Sequence, residues 1–276
     1  VGYDLANAAY DSKIFSVSGQ EVTPNGVTFN TDGTKMFICG SNGDEVNEYA
    51  LSTSFDISTA SFTTNFSVSA QETAPEDIVF KPDGTKMYII GRTGDDISQY
   101  SLSTAYDIST ASFDSVSFSV SAQAAFPTGM RFNNDGTKVF ICDRNNHSLF
   151  QYSLSTAYDI STASYDSVSF DLSAQFAISL NGDGTKMFAI SAATRLMYQY
   201  SLSTAFDLSS ISYDSVTFAL ENSAGDPAGM TFNSDGTKMY VADYNTDSVY
   251  QYSTATAMTI TWDADIQWAG GTAPDS

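Results

Sequence analysis

Residues 80–90 read Phe80-Lys81-Pro82-Asp83-Gly84-Thr85-Lys86-Met87-Tyr88-Ile89-Ile90. The stretch spells one β-hairpin. Asp-Gly makes a tight turn, because glycine accepts the positive φ that strains other residues. The apolar run after it suits a strand covered on both faces. Asp-Gly-Thr-Lys occurs five times, beginning at Asp32, Asp83, Asp135, Asp183 and Asp235, which sets spacings of 51, 52, 48 and 52 residues. An apolar residue precedes each copy (Phe29, Phe80, Phe132, Leu180, Phe232), and a tyrosine follows each (Tyr49, Tyr100, Tyr152, Tyr200, Tyr252).

Working outward, each copy reads as four strands. Strand A is of the Gly26-Val27-Thr28-Phe29 type and strand B of the Lys35-Met36-Phe37-Ile38-Cys39 type. Strand C is of the Val249-Tyr250-Gln251-Tyr252 type. Strand D, as in Ser115-Val116-Ser117-Phe118-Ser119-Val120, alternates with period two, the mark of an outer strand with one wet face. No segment shows a helical period. A four-stranded unit of about 50 residues, apolar inside and polar outside, is a propeller blade. The chain is therefore expected to be all-β, a five-bladed β-propeller of four-stranded antiparallel blades. A solenoid is the competing repeat fold, but its units are usually shorter and rarely hold three hairpins.

The strand count predicts how the ring closes. There are six D-like segments for five A-B-C sets. The extra one is N-terminal: Tyr3-Asp4-Leu5 through Tyr10-Asp11-Ser12 to Phe15-Ser16-Val17-Ser18 matches Tyr158-Asp159-Ile160 through Tyr165-Asp166-Ser167 to Phe170-Asp171-Leu172-Ser173. Residues 1–18 should complete the last blade and remove an exposed sheet edge. The propeller then spans 1–258, and 259–276 is left as a C-terminal extension or linker, with Gly270-Gly271-Thr272-Ala273-Pro274 as a linker signal.

Composition narrows the partners. The chain carries 32 acids against 11 bases, a formal charge of −21, with 42% hydrophobic and 13% aromatic residues. That is enough apolar content to fold. Such a surface repels phosphate backbones and anionic membranes, so no nucleic acid partner and no membrane insertion are expected. No apolar run approaches the roughly 20 residues of a membrane helix. The N-terminus has neither a basic nor an apolar leader region, so a signal peptide is expected to be absent or already removed. Cys39 and Cys142 occupy one repeat position in non-neighbouring copies, so they are expected to be buried free thiols.

The copies also separate two faces. The A–B turn is Asp-Gly-Thr-Lys throughout, and the C–D loop is nearly fixed, with Leu102-Ser103-Thr104-Ala105-Tyr106-Asp107-Ile108-Ser109 recurring at Leu154 and Leu202. This uniform face reads as scaffold. The B–C and D–A loops share the other face and vary. The fourth copy is shorter at Ala174-Gln175-Phe176-Ala177, which predicts a notch in the rim. Loops on a rigid scaffold are where binding residues concentrate. The ligand-binding candidates are Asn42, Asp44, Arg92, Asp95, Asp96, Arg144, Asn145, His147, Arg195, Tyr244, Asn245 and Asp247. The bland alternative is that these loops are unconstrained.

No catalytic motif is present: no Gly-x-Ser-x-Gly, no phosphate loop, no Cys-x-x-Cys. One histidine cannot build a His-rich zinc site. No cofactor is expected, although Gly94-Asp95-Asp96 and Asp243-Tyr244-Asn245-Thr246-Asp247 offer hard oxygen ligands of the kind Ca²⁺ takes. Paired carboxylates are the one catalytic option. Asp77 replaces a glycine at the entry to strand A, and Asp143 and Asp243 follow strand B, so a glycosidase-like enzyme is an alternative to a non-catalytic protein.

The repeat, Phe-x-x-Asp-Gly-Thr-Lys-Met-Tyr followed by Tyr-Gln-Tyr-Ser-Leu-Ser-Thr-Ala-Tyr-Asp-Ile-Ser-Thr-Ala-Ser-Tyr, resembles a propeller repeat of tail-fibre and virion proteins of tailed phages and related aquatic bacterial proteins. The segment Ile266-Gln267-Trp268-Ala269-Gly270-Gly271-Thr272-Ala273-Pro274 resembles a joint between such propellers and further fibre domains. The resemblance implies recognition of a surface glycan or host receptor. The alternative it implies is a structural place on a virion, with a further fibre domain or virion protein joined through the C-terminus. Either role is extracellular or on a virion. It transfers no site residues.

Overall fold

A computed structural model describes residues 2–173, 177–220 and 225–254. The first blade is β2 (Pro24–Phe29), β3 (Lys35–Gly40), β4 (Glu45–Leu51) and β5 (Ala60–Ser67); the second is β6 (Pro75–Phe80), β7 (Lys86–Gly91), β8 (Asp96–Leu102) and β9 (Ala111–Ser119). The third is β10 (Pro127–Phe132), β11 (Lys138–Asp143), β12 (Ser148–Leu154) and β13 (Ala163–Asp171). The fourth is β14 (Ala177–Leu180), β15 (Lys186–Ser191), β16 (Leu196–Leu202) and β17 (Ile211–Ala219). The fifth joins β18 (Pro227–Phe232), β19 (Lys238–Asp243) and β20 (Ser248–Ser253) to the N-terminal β1 (Ala9–Ser16), in the order β1-β20-β19-β18. The five-bladed propeller and its closure by the first strand are thus both present. Of the expected notch at 174–177 only Ala177, the first residue of β14, is described; residues 174–176 and the extension at 259–276 lie outside the described residues.

The closure is chemical as well as topological. Asp11 on β1 accepts from Lys238 Nζ at 3.0 Å and Gln251 Nε2 at 2.7 Å, both on the last blade. Asp114 does the same in blade 2, accepting from Lys86 at 2.9 Å and Gln99 at 2.8 Å. Blade 1 departs from this. Its strand D lacks one residue, Thr63 stands where the others have Asp, and Glu48 replaces the strand C glutamine and pairs with Lys35 at 2.8 Å. The carboxylate has moved across the ladder, and the lysine keeps its partner.

The uniform face is locked by its own repeat. Asp32 Oδ1 accepts from the backbone N–H and hydroxyl of Thr34, and those bonds hold its pKa below the usual carboxylate range. Gly33 has φ +71, and a Cβ there would lie 2.3 Å from the Phe55 ring. The left-handed turn and the close ring both favour glycine there. Lys35 reaches the carbonyl of Tyr106 in the next blade at 2.8 Å. Strand B is buried throughout, with Met36, Phe37, Ile38 and Cys39 all fully inaccessible. Cys39 and Cys142 are free thiols, and burial pushes Cys142 up to about 12, so neither is poised to react.

Strands A line the central channel, packing β18 on β2, β2 on β6, and so on around the ring. Glycine lets them approach: a Cβ on Gly229 would lie 2.1 Å from the Asn25 carbonyl oxygen, and one on Gly26 2.9 Å from Asp77 Cα. No described helix is long and apolar enough to cross a membrane.

Candidate functional site

A cavity of about 240 Å³ opens at the channel mouth on the variable face. Two kinds of residue line it. Arg92, Arg144, Ala192 and Tyr244 come from the B–C loops; Asn25, Glu76, Thr128 and Ala228 come from the start of strand A. This second set shares a backbone cause. The A–B ladder slips between Pro24 and Gly26, between Pro75 and Asp77, between Pro127 and Gly129, and between Pro227 and Gly229. The skipped residue in each case is the one that lines the mouth. Bulges commonly re-aim side chains beside functional sites.

Arg92 and Arg144 meet over one ring. Their guanidinium carbons lie 5.5 and 5.9 Å from the centroid of Phe126, within cation–π range. Phe126 is fixed in turn, since its N–H donates to Asp143 Oδ1 at 2.7 Å and its carbonyl accepts from Arg144 N at 3.0 Å. Glu76 is 7% exposed, and its Oε1 makes no hydrogen bond, lying 3.3 Å from Arg92 Nη1. Burial raises its pKa to about 7 against the pull of Arg92 and Arg144, and Glu72 and Asp77 add to the rise. Asp226 and the exposed Tyr244 complete the rim, with Tyr244 N donating to the Asp226 carbonyl.

The carboxylates singled out by sequence have other duties. Asp143 and Asp243 are fully buried. Asp143 accepts from Phe126 N and Asn146 N, and Asp243 from Gly225 N, Asn245 N and Thr246 N. Blades 1 and 2 fill the same role from the opposite side: Glu21 accepts from Thr23, Asn42 and Gly43, and Glu72 from Ala74, Thr93 and Gly94. Those blades carry Gly40 and Gly91 where blades 3 and 5 carry Asp and blade 4 carries Ser191, and a Cβ at either glycine would collide with the glutamate at about 2.5 Å. The change from glycine to aspartate after strand B therefore keeps a loop clamp in place.

Asp77 is buried and accepts from Ile78 N, Met130 N and Arg131 Nη1. Arg131 also reaches the Met230 carbonyl, so the pair ties blades 2, 3 and 5 together across the channel. Burial raises Asp77, and Arg131 pulls it back. Arg131 lines a second cavity, of about 310 Å³, toward the uniform face. The pin stands between the two mouths.

Of the twelve loop candidates, Arg92, Arg144 and Tyr244 line the cavity. Asp44, Asp95, His147, Arg195 and Asp247 share one backbone position with φ between 48 and 54, and their carbonyls accept from Val68, Val120, Leu172, Leu220 and Val17. Their side chains vary, but their turn does not. Asn42 and Asn245 give backbone N–H groups to Glu21 and Asp243. Asn145 is exposed in its loop, and Asp96 is half-buried at the start of β8. The structure brings none of these last four to the mouth. Among the described residues no group of three or more His, Cys, Asp or Glu is placed to hold a metal ion, so the calcium option gains no geometry. Glu76 and Asp226 are the functional candidates that the loop comparison passes over. The signal for Glu76 was the Pro-x-Gly pattern at the entry to strand A, where x is Asn25, Thr128 or Ala228 in other copies.

No protein-family model matches the chain, and no curated protein matches it. Solved propellers are similar in shape. Hydrazine synthase of Kuenenia stuttgartiensis is 12% identical with a TM-score of 0.51, over 90% of this chain and 99% of that one. A provisionally named 6-phosphogluconolactonase of Bacteroides uniformis is 12% identical with a TM-score of 0.50, over 80% of this chain and 64% of that one. A functionally unknown protein of Desulfotomaculum acetoxidans is 14% identical with a TM-score of 0.49, over 80% and 65%. The chain thus spans less than two thirds of the latter two proteins. At these identities the likeness bears on the fold alone, and the five-bladed β-propeller class rests on the sheet topology.

Proposed function

We propose that the chain is a non-catalytic binding propeller that recognises a saccharide at the variable-face mouth of its channel. One observation carries this reading: the two faces spend their polar groups differently. On the uniform face the Asp, Thr and Lys of the repeat bond within the scaffold. At the mouth, Arg92, Arg144, Glu76 and Tyr244 surround open space. The cavity falls below the roughly 300–1,000 Å³ of pockets that enclose a whole drug-sized ligand. It suits one sugar ring at the end of a larger glycan. The repeat's resemblance to tail-fibre propellers supports a target on a cell surface and an extracellular or virion setting. A glycan array probed with the purified chain tests the reading. Saturable binding to a subset of glycans, lost in Arg144→Ala, is expected; no binding anywhere on the array would overturn it.

A second reading is hydrolysis, favoured by Glu76, raised to about 7 in the same cavity as Asp226. An acid and a second carboxylate in different environments are the two parts of a glycosidase. Release of reducing ends from array-positive glycans, abolished in Glu76→Gln, would support it; intact glycans after prolonged incubation would remove it.

A further inference from the structure

We propose that the saccharide is anionic, and that its carboxylate or sulfate is held by Arg92 and Arg144 while Glu76 is displaced from Arg92. This rests on the proposed saccharide site and names the chemistry that site selects.

The distribution of cations carries the inference. The chain has seven lysines and four arginines on a background of −21. Lysines serve the scaffold: Lys13, Lys35, Lys81, Lys86 and Lys238 pair with carboxylates at 2.6–3.0 Å. Three of the four arginines stand in the channel or at its mouth. Arginine offers a planar fork of donors that matches a carboxylate or sulfate in pairs of bonds. Two such forks flank Phe126, within cation–π range of its ring. Arg92 is 38% exposed on its side chain, and its contact with Glu76 is a single approach at 3.3 Å. That leaves donors facing the cavity.

Glu76 is the second observation. It is more than nine-tenths buried, it lines the cavity, and its Oε1 receives no hydrogen bond. Among the described residues its one charged neighbour in reach is Arg92, at 3.3 Å. An anionic group on Arg92 and Arg144 would repel ionised Glu76, so the complex favours the protonated form. The protonated carboxyl can then donate to the ligand. The charged groups that bear on Glu76 are Arg92, Arg144, Glu72 and Asp77, and Asp226 lies on the same cavity wall. Of these Glu72 is already held by backbone N–H groups and Asp77 by Arg131. Glu76 is therefore the group that takes up the proton, and affinity should fall as pH rises through about 7.

The test is an array that pairs each acidic glycan with its neutral counterpart: uronate with its methyl ester, sialylated with asialo, sulfated with unsulfated. Binding confined to acidic members is expected, and the carboxylate and sulfate arms identify the group. Arg92→Gln and Arg144→Gln should each weaken binding about tenfold or more, with melting curves confirming that each variant is folded. Titration calorimetry in two buffers of different ionisation enthalpy should show proton uptake near pH 7, absent in Glu76→Gln. Equal binding of acidic and neutral partners would overturn the anionic inference and leave the saccharide site standing. No binding at all would overturn both.

Discussion

Asp143 accepts the N–H of Phe126 at 2.7 Å, and through that one bond a fully buried carboxylate holds the ring on which two arginines meet. The same clamp is built in blade 2 by Glu72 under Gly91. Ala124 is the blade 3 counterpart of Glu72 and is fully buried.

An exchange between blades follows. Asp143→Gly leaves buried N–H groups unsatisfied, and Ala124→Glu crowds a second carboxylate against the first. Each single change should cost about 2–4 kcal/mol. Together they recreate the blade 2 arrangement, so the double variant should recover most of the loss. Chemical unfolding of all four proteins measures the coupling, and simple additivity would show that the two positions do not share one role.

The channel pin allows a parallel cycle. Removing Arg131 alone, as Arg131→Thr, leaves Asp77 buried and uncompensated and should cost about 3–5 kcal/mol. Blade 5 has Gly229 and Thr231 at the matching positions. Asp77→Gly with Arg131→Thr should therefore stand much closer to the parent in stability than Arg131→Thr does. A double variant as unstable as the single one would mean that the pin, not merely its charge balance, holds the ring.

Deleting residues 2–16 removes β1 and strips Lys238, Gln251 and Ser253 of their shared partner Asp11. It also removes buried Leu5 and the packing of Tyr3 on Phe188 and Phe232. A large fall in melting temperature is expected by calorimetry. A midpoint within about 2 °C of the parent would contradict closure by this strand.

Glu76 sets a pH dependence of stability. Its pKa is about 7 when folded and near 4.5 in an unfolded chain. Between those values the unfolded state loses the proton first, so stability falls as pH rises and levels off above 7. The full effect is up to about 3 kcal/mol. Glu76→Gln should raise the melting temperature at pH 8 and leave it nearly unchanged at pH 4.

Much of this architecture is written in the repeat. Asp-Gly-Thr-Lys fixes the blade count, and the match of Tyr10-Asp11-Ser12 to Tyr165-Asp166-Ser167 gives the closure, because both depend on residues near in sequence or periodic along it. The site is less legible. Loop variability points to Arg92, Arg144 and Tyr244, but it also points to Asp44, Asp95, His147, Arg195 and Asp247, whose common φ shows only across copies superposed in space. The clamp roles of Asp143 and Asp243 depend on what stands opposite them in the D–A loop. Glu76 turns into the mouth because of a one-residue slip after Pro75, which the repeated proline marks only once the copies are compared in space.

The most direct test of a ligand site at the variable mouth is calorimetric titration of an array-positive glycan into the parent chain and into Arg92→Ala/Arg144→Ala, with melting curves confirming that both are folded. Loss of about a hundredfold in affinity or more is expected in the double variant. An unchanged affinity would place the ligand elsewhere on the molecule and contradict the assignment of this mouth.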